Sequence, residues 1–231
     1  MRVGTKSILF GAHAFWFHPF AVALAWWELY RWAPAIEGGR WPAVIDPRAW
    51  VVFFLHDIGY LGLSNMDGDE GEAHPEASAI ILSILFDGRL GWRLWRRRRM
   101  ILKQFTGPVT ALHLFLGPWG LFSLLHSRHY ARDAKRNPSR LCAADKLALM
   151  YTPWWLYIPG TTLSGEIVEY MNHARELGHQ VGIAYHTKRD WYETMRAYCA
   201  RWARRHADGS VDTWTGDRRS GVADTPDECD E

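Results

Sequence analysis

The sequence predicts an all-α protein, and three observations carry that prediction. Apolar residues recur at helical spacing along most of the chain. No stretch of any length alternates in the manner of a strand. The breaks between apolar segments carry the Pro, Gly, Asp and Ser signals that start and stop helices. With 231 residues, 48% of them hydrophobic, the chain is long and apolar enough for a packed core. We expect one helical domain over 1–207, with its core in 13–150 and C-terminal helices in 164–207. The polar, aperiodic segment 208–231 reads as a disordered tail.

Residues 5–32 read as helix, with a break at Pro19. The run Phe20 to Trp27 is apolar nearly all round, which makes this helix central. Pro34 and Gly38-Gly39 end it. Asp46-Pro47 then supplies an N-cap and a first-turn proline for a helix that runs into His56-Asp57. An acid-rich loop holding Asp67, Asp69, Glu70 and Glu72 follows; it lacks the spacing of an EF-hand. His74-Pro75-Glu76 opens a helix over 75–87, stopped by Asp87-Gly88. Residues 89–106 are basic and helical in pattern. Pro118 opens a helix that carries His126 and Arg128 and fades near Lys135. Helices over 140–151, 154–158, 164–177 and 190–207 complete the chain; the last places Trp191, Met195, Tyr198 and Trp202 on one face.

The net charge of +2 does not point to nucleic acid. Three widely spaced cysteines form no disulfide framework and no CxxC, which fits a reducing compartment such as the cytoplasm. Met1 to Phe10 lacks the apolar core and cleavage site of a secretory signal. Arg96–Arg99 precede the largely apolar stretch Met100 to Leu125. Gly107-Pro108 and Gly117-Pro118 divide that stretch, so it reads as core helices or a surface helix rather than a span, with Arg96–Arg99 available for peripheral membrane contact.

Five apolar or aromatic residues, Trp50 to Phe54, lead through Leu55 into the adjacent pair His56-Asp57. Buried polar groups are costly unless paired or bound to a metal. His13, His18, His74 and His126, with Asp57 and Asp145, also lie on or at the ends of otherwise apolar helices. Helical bundles build metal sites from ligands on separate helices. Imidazole with carboxylate suits one or two divalent transition ions (Mn, Fe, Co, Ni or Zn, with Mg accommodated).

The ordered set resembles the HD-domain metal-dependent phosphohydrolase superfamily over about residues 13–150. His18, followed by Val22-Ala23, looks like its first-histidine helix. Phe54-Leu55-His56-Asp57-Ile58-Gly59 looks like its central motif. His74-Pro75-Glu76-Ala77 and His126-Ser127-Arg128 look like the further histidines of two-metal members. Ala143-Ala144-Asp145-Lys146 looks like the closing helix. The resemblance implies that His18, His56, Asp57 and Asp145 hold one metal and that Asp57 bridges to a second held by His74 and His126. His13 is the alternative to His18 as first ligand. Segment 88–116 is long for the family and reads as an insertion.

The function this implies is hydrolysis of a phosphoester, a nucleotide or related phosphate compound, by metal-activated water. Asp57 would be central. Arg128 and Lys146 would hold phosphate, and Tyr60 or Trp119 would stack on a base. Two other readings stay open: an HD-fold di-iron oxygenase using the same six ligands, and a non-catalytic helical domain that senses a nucleotide or docks to a membrane.

Overall fold

Helix starts follow the proline and capping signals of the sequence. The computed structural model describes residues 1–66, 71–88, 109–176 and 187–208. Among the described residues the chain forms ten α-helices, joined by turns and short 3₁₀ segments, and no strand. The helix expected over 5–32 is two. Helix α1 (Val3–Phe10) ends at Gly11, and α2 (His18–Tyr30) begins seven residues later. Pro19 therefore falls in the first turn of α2, where a missing N–H is no loss.

Helix α3 (Pro47–Leu55) is capped as expected: an Asp46 carboxylate oxygen accepts from the Arg48 N–H at 2.9 Å. A 3₁₀ turn, Ile58–Tyr60, follows His56-Asp57. Helix α4 (His74–Phe86) stops at Asp87. That residue also caps the next helix, α5 (Pro118–Leu124), by accepting from the N–H groups of Trp119 at 3.0 Å and Gly120 at 3.2 Å. The single helix expected from Pro118 to Lys135 is broken: His126 sits in the turn after α5, and α6 (Arg128–Asp133) follows. Helix α7 (Arg140–Ala148) carries Asp145. Helix α8 (Trp154–Ser164) outruns the expected end at Ile158 and passes through Pro159. Helices α9 (Glu166–Glu176) and α10 (Lys188–His206) complete the described fold, α10 opened by a Thr187/Asp190 capping box.

The main core joins α2, α3, α7 and α10 and takes Leu82 from α4 and Trp119 and Phe122 from α5. Val22, Trp26, Phe53, Leu82, Leu141 and Leu147 are fully buried in it, and side chains of this size each contribute about 1.5–3 kcal/mol by burial. Ala21 and Ala25 on α2, with Ala144 and Ala148 on α7, repeat at i, i+4 and let the two helices approach closely. Ala200, Trp202 and Ala203 of α10 belong to this same core, so the C-terminal helix completes it. A second cluster packs α4 and α5 with Leu112 and Leu116, so the end of the expected 88–116 insertion is core. The fourteen tryptophans divide between core positions such as Trp26, Trp119, Trp191 and Trp202 and exposed ones such as Trp16, Trp32 and Trp155.

The acids Asp67, Asp69 and Glu70, the basic run Arg96–Arg99, the helix expected over 89–106 and the tail beyond Asp208 lie outside the described residues. Among the described residues, no helix is long and apolar enough to cross a membrane.

Gly59 links fold to site. A Cβ at this position would overlap the carbonyl oxygen of His74, so only glycine lets the turn after His56-Asp57 lie against the start of α4. Gly59→Ala is therefore expected to destabilise the protein by about 1–3 kcal/mol, the cost of overpacking, measured by denaturant unfolding. An unchanged midpoint would contradict this packing.

Candidate metal centre

Five elements each deliver side chains to one point. His18 and His74 are the first residues of α2 and α4, and each is followed by a first-turn proline. His56 and Asp57 end α3, His126 lies in the turn after α5, and Asp145 projects from α7. His18, His56, Asp57 and His126 are buried.

The six side chains form two groups that share Asp57. In the first, His18 Nε2 lies 3.3 Å from Asp57 Oδ2 and 3.0 Å from Asp145 Oδ1. His56 Nε2 lies 2.9 Å and 3.5 Å from the same two oxygens. In the second, the Nε2 atoms of His74 and His126 are 3.1 Å apart, and each is 3.6 Å from Asp57 Oδ1. An ion bound at about 2.1 Å with tetrahedral or octahedral angles sets its ligand atoms roughly 3.0–3.4 Å apart. The observed separations, 2.9–3.6 Å, lie around that spacing. Asp57 Oδ2 is also buried, facing the Nε2 atoms of His18 and His56, so its charge calls for a proton on one of these rings or for a cation between them. A buried carboxylate oxygen so placed is unfavourable unless a cation satisfies it. The residues fit a divalent metal, and the two groups can hold one or two ions.

The histidine tautomers agree. Nδ1 of His56 donates to the Phe53 carbonyl at 3.0 Å, that of His74 to Gly71 at 2.6 Å, and that of His126 to Ser123 at 2.5 Å. Each acceptor lies three residues back in the chain. A carbonyl can only accept, so Nδ1 carries a proton in each ring, and the ring when neutral presents its Nε2 lone pair to the cluster. Such outer partners orient metal-binding imidazoles and fix their tautomer.

In the metal-free protein these groups hold one another's charges. Burial opposes protonation of His56, but the charges and hydrogen bonds of Asp57 and Asp145 outweigh it and raise this histidine to about 10. Burial favours the neutral form of Asp57, yet the charges of His56 and His13 keep its carboxyl well below the usual range. Asp145 is held down likewise, against burial, by hydrogen bonds with His18 and His56. His74 is pushed down to about 3 by burial and by neighbouring His126.

His13 belongs to neither group. Its Nδ1–H points to Ser7 Oγ at 2.9 Å, and Ser7 donates to Glu166 Oε2 at 2.6 Å. Glu166 is fully buried, and its other oxygen accepts from the Ala12 N–H at 2.6 Å and Ser164 Oγ at 2.9 Å. Gly11 leaves room for that oxygen, which a Cβ would overlap. Burial opposes protonation of His13; Asp57 and Glu166 outweigh it and raise the ring to about 9. The ring packs beside His18 and Tyr60. Of the two, His18 and not His13 lies with the other candidate ligands. Neither Ser7 nor Glu166 stood out in the sequence.

A cavity of about 300 Å³ opens on the first group and is lined by His13, His18, His56 and Asp57 at one end and by apolar side chains elsewhere. Arg128, Lys146 and Tyr60 do not line it. Arg128 and Lys146 both stand over the Trp202 ring, at 5.2 and 5.3 Å. Tyr60 is buried and stacked on His74 at 4.0 Å between ring centres. Trp119 is a core residue packed against Phe86 and Phe122. The two aromatic rings expected to receive a base are therefore covered by other side chains.

The charges set a pH dependence. The raised His56 stabilises the metal-free fold fully below about 6.5, and this contribution is lost as pH rises towards about 10. The lowered carboxyls of Asp57 and Asp145 contribute above about 3.8 and lose that contribution as pH falls. Metal competes with the His56 proton, whereas His74 has none to give up near neutrality. Metal binding at pH 7 is therefore expected to release protons and to tighten as pH rises. Calorimetry in buffers of different ionisation enthalpy measures that release, and His56→Ala should diminish it. Metal uptake without proton release would contradict this electrostatic picture.

Comparisons of the chain with protein-family models, with curated proteins and with solved structures found no match.

Proposed function

We propose that this chain is a metal-dependent hydrolase of phosphoesters. The observation that supports the reading best is the pair of ligand groups sharing Asp57 through its two carboxylate oxygens. Divalent ions, when bound, supply Lewis acidity towards phosphoryl oxygens and activate water near neutral pH. The chain's own part is positioning. Asp57 fixes the two groups relative to each other, and the carbonyls of Phe53, Gly71 and Ser123 hold three rings in place. His13, braced by Ser7 and Glu166, stands on the cavity wall beside His18, where an anionic substrate group would sit.

A second reading, an iron-dependent oxygenase built on the same six ligands, draws support from those same walls: among the described residues, no lysine or arginine lines the cavity. Oxygen uptake by protein loaded anaerobically with Fe(II) separates the two readings.

Phosphodiesters and phosphomonoesters screened with Mn, Co, Ni, Fe and Mg should release product with at least one of these ions. Asp57→Ala should lower that rate by at least about a thousandfold, the scale of losing central electrostatic stabilisation. Arg205→Ala, on the exposed face of α10, should leave it unchanged. Full activity in Asp57→Ala would refute the assignment.

A further inference from the structure

We infer that the ligand of this site is an amphiphile, with an anionic head that a cation held by His18, His56 and Asp57 would attract and an apolar tail in the adjoining cavity; naming it a substrate rests on the hydrolase reading above. The cavity's volume, about 300 Å³, is at the lower end of small-molecule sites, roughly 300–1,000 Å³. Its walls away from the ligand cluster include Ile8, Leu9, Phe15, Phe54, Ile58 and Leu61. Histidines and Asp57 supply its polar side chains, and all of them lie at the cluster end. A sugar or a base placed against these walls would lose its hydrogen bonds to water without replacement. A hydrocarbon chain loses none and gains by burial.

The mouth carries the same character. Leu9, Phe15, Phe54 and Leu61 line the cavity and are still 38%, 49%, 37% and 47% exposed. Phe20, also exposed, meets Phe54 edge to face at 5.7 Å. Leu24 and Trp27 continue from Phe20 along the same exposed face of α2 at i+4 and i+7. Single exposed apolar residues are ordinary. A continuous patch leading into a cavity at a cluster of candidate metal ligands marks a binding site, and its shape gives the tail a path out over Phe54 and Phe20.

The test is calorimetric binding of methyl- to octylphosphonate, each kept monomeric, to Mn-loaded full-length protein. Affinity should rise up to about fourfold per methylene until the cavity fills, the increment expected for burying a CH₂. Leu61→Asp should flatten the series; if that variant fails to fold, Phe15→Asp on the same cavity gives the same test. Equal affinities for methyl- and octylphosphonate would overturn the inference, and turnover of short esters would then leave the hydrolase reading standing. An octyl preference without hydrolysis of any ester would support the tail site and count against the hydrolase reading alone. A chain-length preference seen only with esters carried in phosphatidylcholine vesicles, and absent for monomeric phosphonates, would also overturn it.

Discussion

The Asp57 carboxylate is buried with one oxygen against His18 and His56 and the other against His74 and His126. Taking a carboxylate out of water costs several kcal/mol unless opposite charge replaces the lost hydration. The helix ends that converge on it are arranged around that need. In the metal-free protein a proton on His56 meets it in part, and a metal shared between the groups would meet it more completely. The ligands therefore depend on one another: removing Asp57 leaves His74 and His126 facing each other with no anion between them, and His18 and His56 with Asp145 alone.

The fold supports this cluster mainly through chain termini of helices rather than their middles. His18 and His74 are each fixed by a following proline that starts a helix, and His56, His74 and His126 are each tied by Nδ1 to a carbonyl three residues back. Gly59 lets the turn carrying the shared carboxylate lie on the backbone of His74. Ring orientation is thereby set by short local contacts, and the packing of α2, α3 and α7 in the main core brings the first group together. The second group depends on α4 and the α5 turn, joined through the Asp87 cap and their own apolar cluster.

Much of this was legible in the sequence, for identifiable reasons. The helical class, the Asp46-Pro47 start and the apolar lead into His56-Asp57 follow from local periodicity and capping, which depend on neighbours in the chain. The six candidate ligands stood out because imidazole and carboxylate on apolar helices need a partner. The break at His126 was hidden, because the residues on either side keep a helical pattern although the imidazole needs a turn. The role of Pro19 was readable only once the start of α2 was placed at His18. Glu166 was invisible: it looks like the first-turn acid of an amphipathic helix, and its partners Ser7 and Ala12 lie more than 150 residues away in sequence. The cation–π contacts of Arg128 and Lys146 depend likewise on Trp202 arriving from α10.

The cavity adds what ligand order could not. Its polar end coincides with the first ligand group, and its walls and mouth are apolar. The structure thus joins a cluster suited to divalent ions to a space suited to hydrocarbon, with His13 and its Ser7–Glu166 relay at the junction. The central claim is that Asp57 is the shared ligand of a metal centre. Anomalous diffraction from crystals grown with Mn or Fe, collected at the metal's absorption edge, tests it most directly. Density is expected beside each oxygen of Asp57, one peak among His18, His56 and Asp145 and a second between His74 and His126. Metal-loaded crystals with no peak at Asp57, or with metal bound only elsewhere, would contradict it.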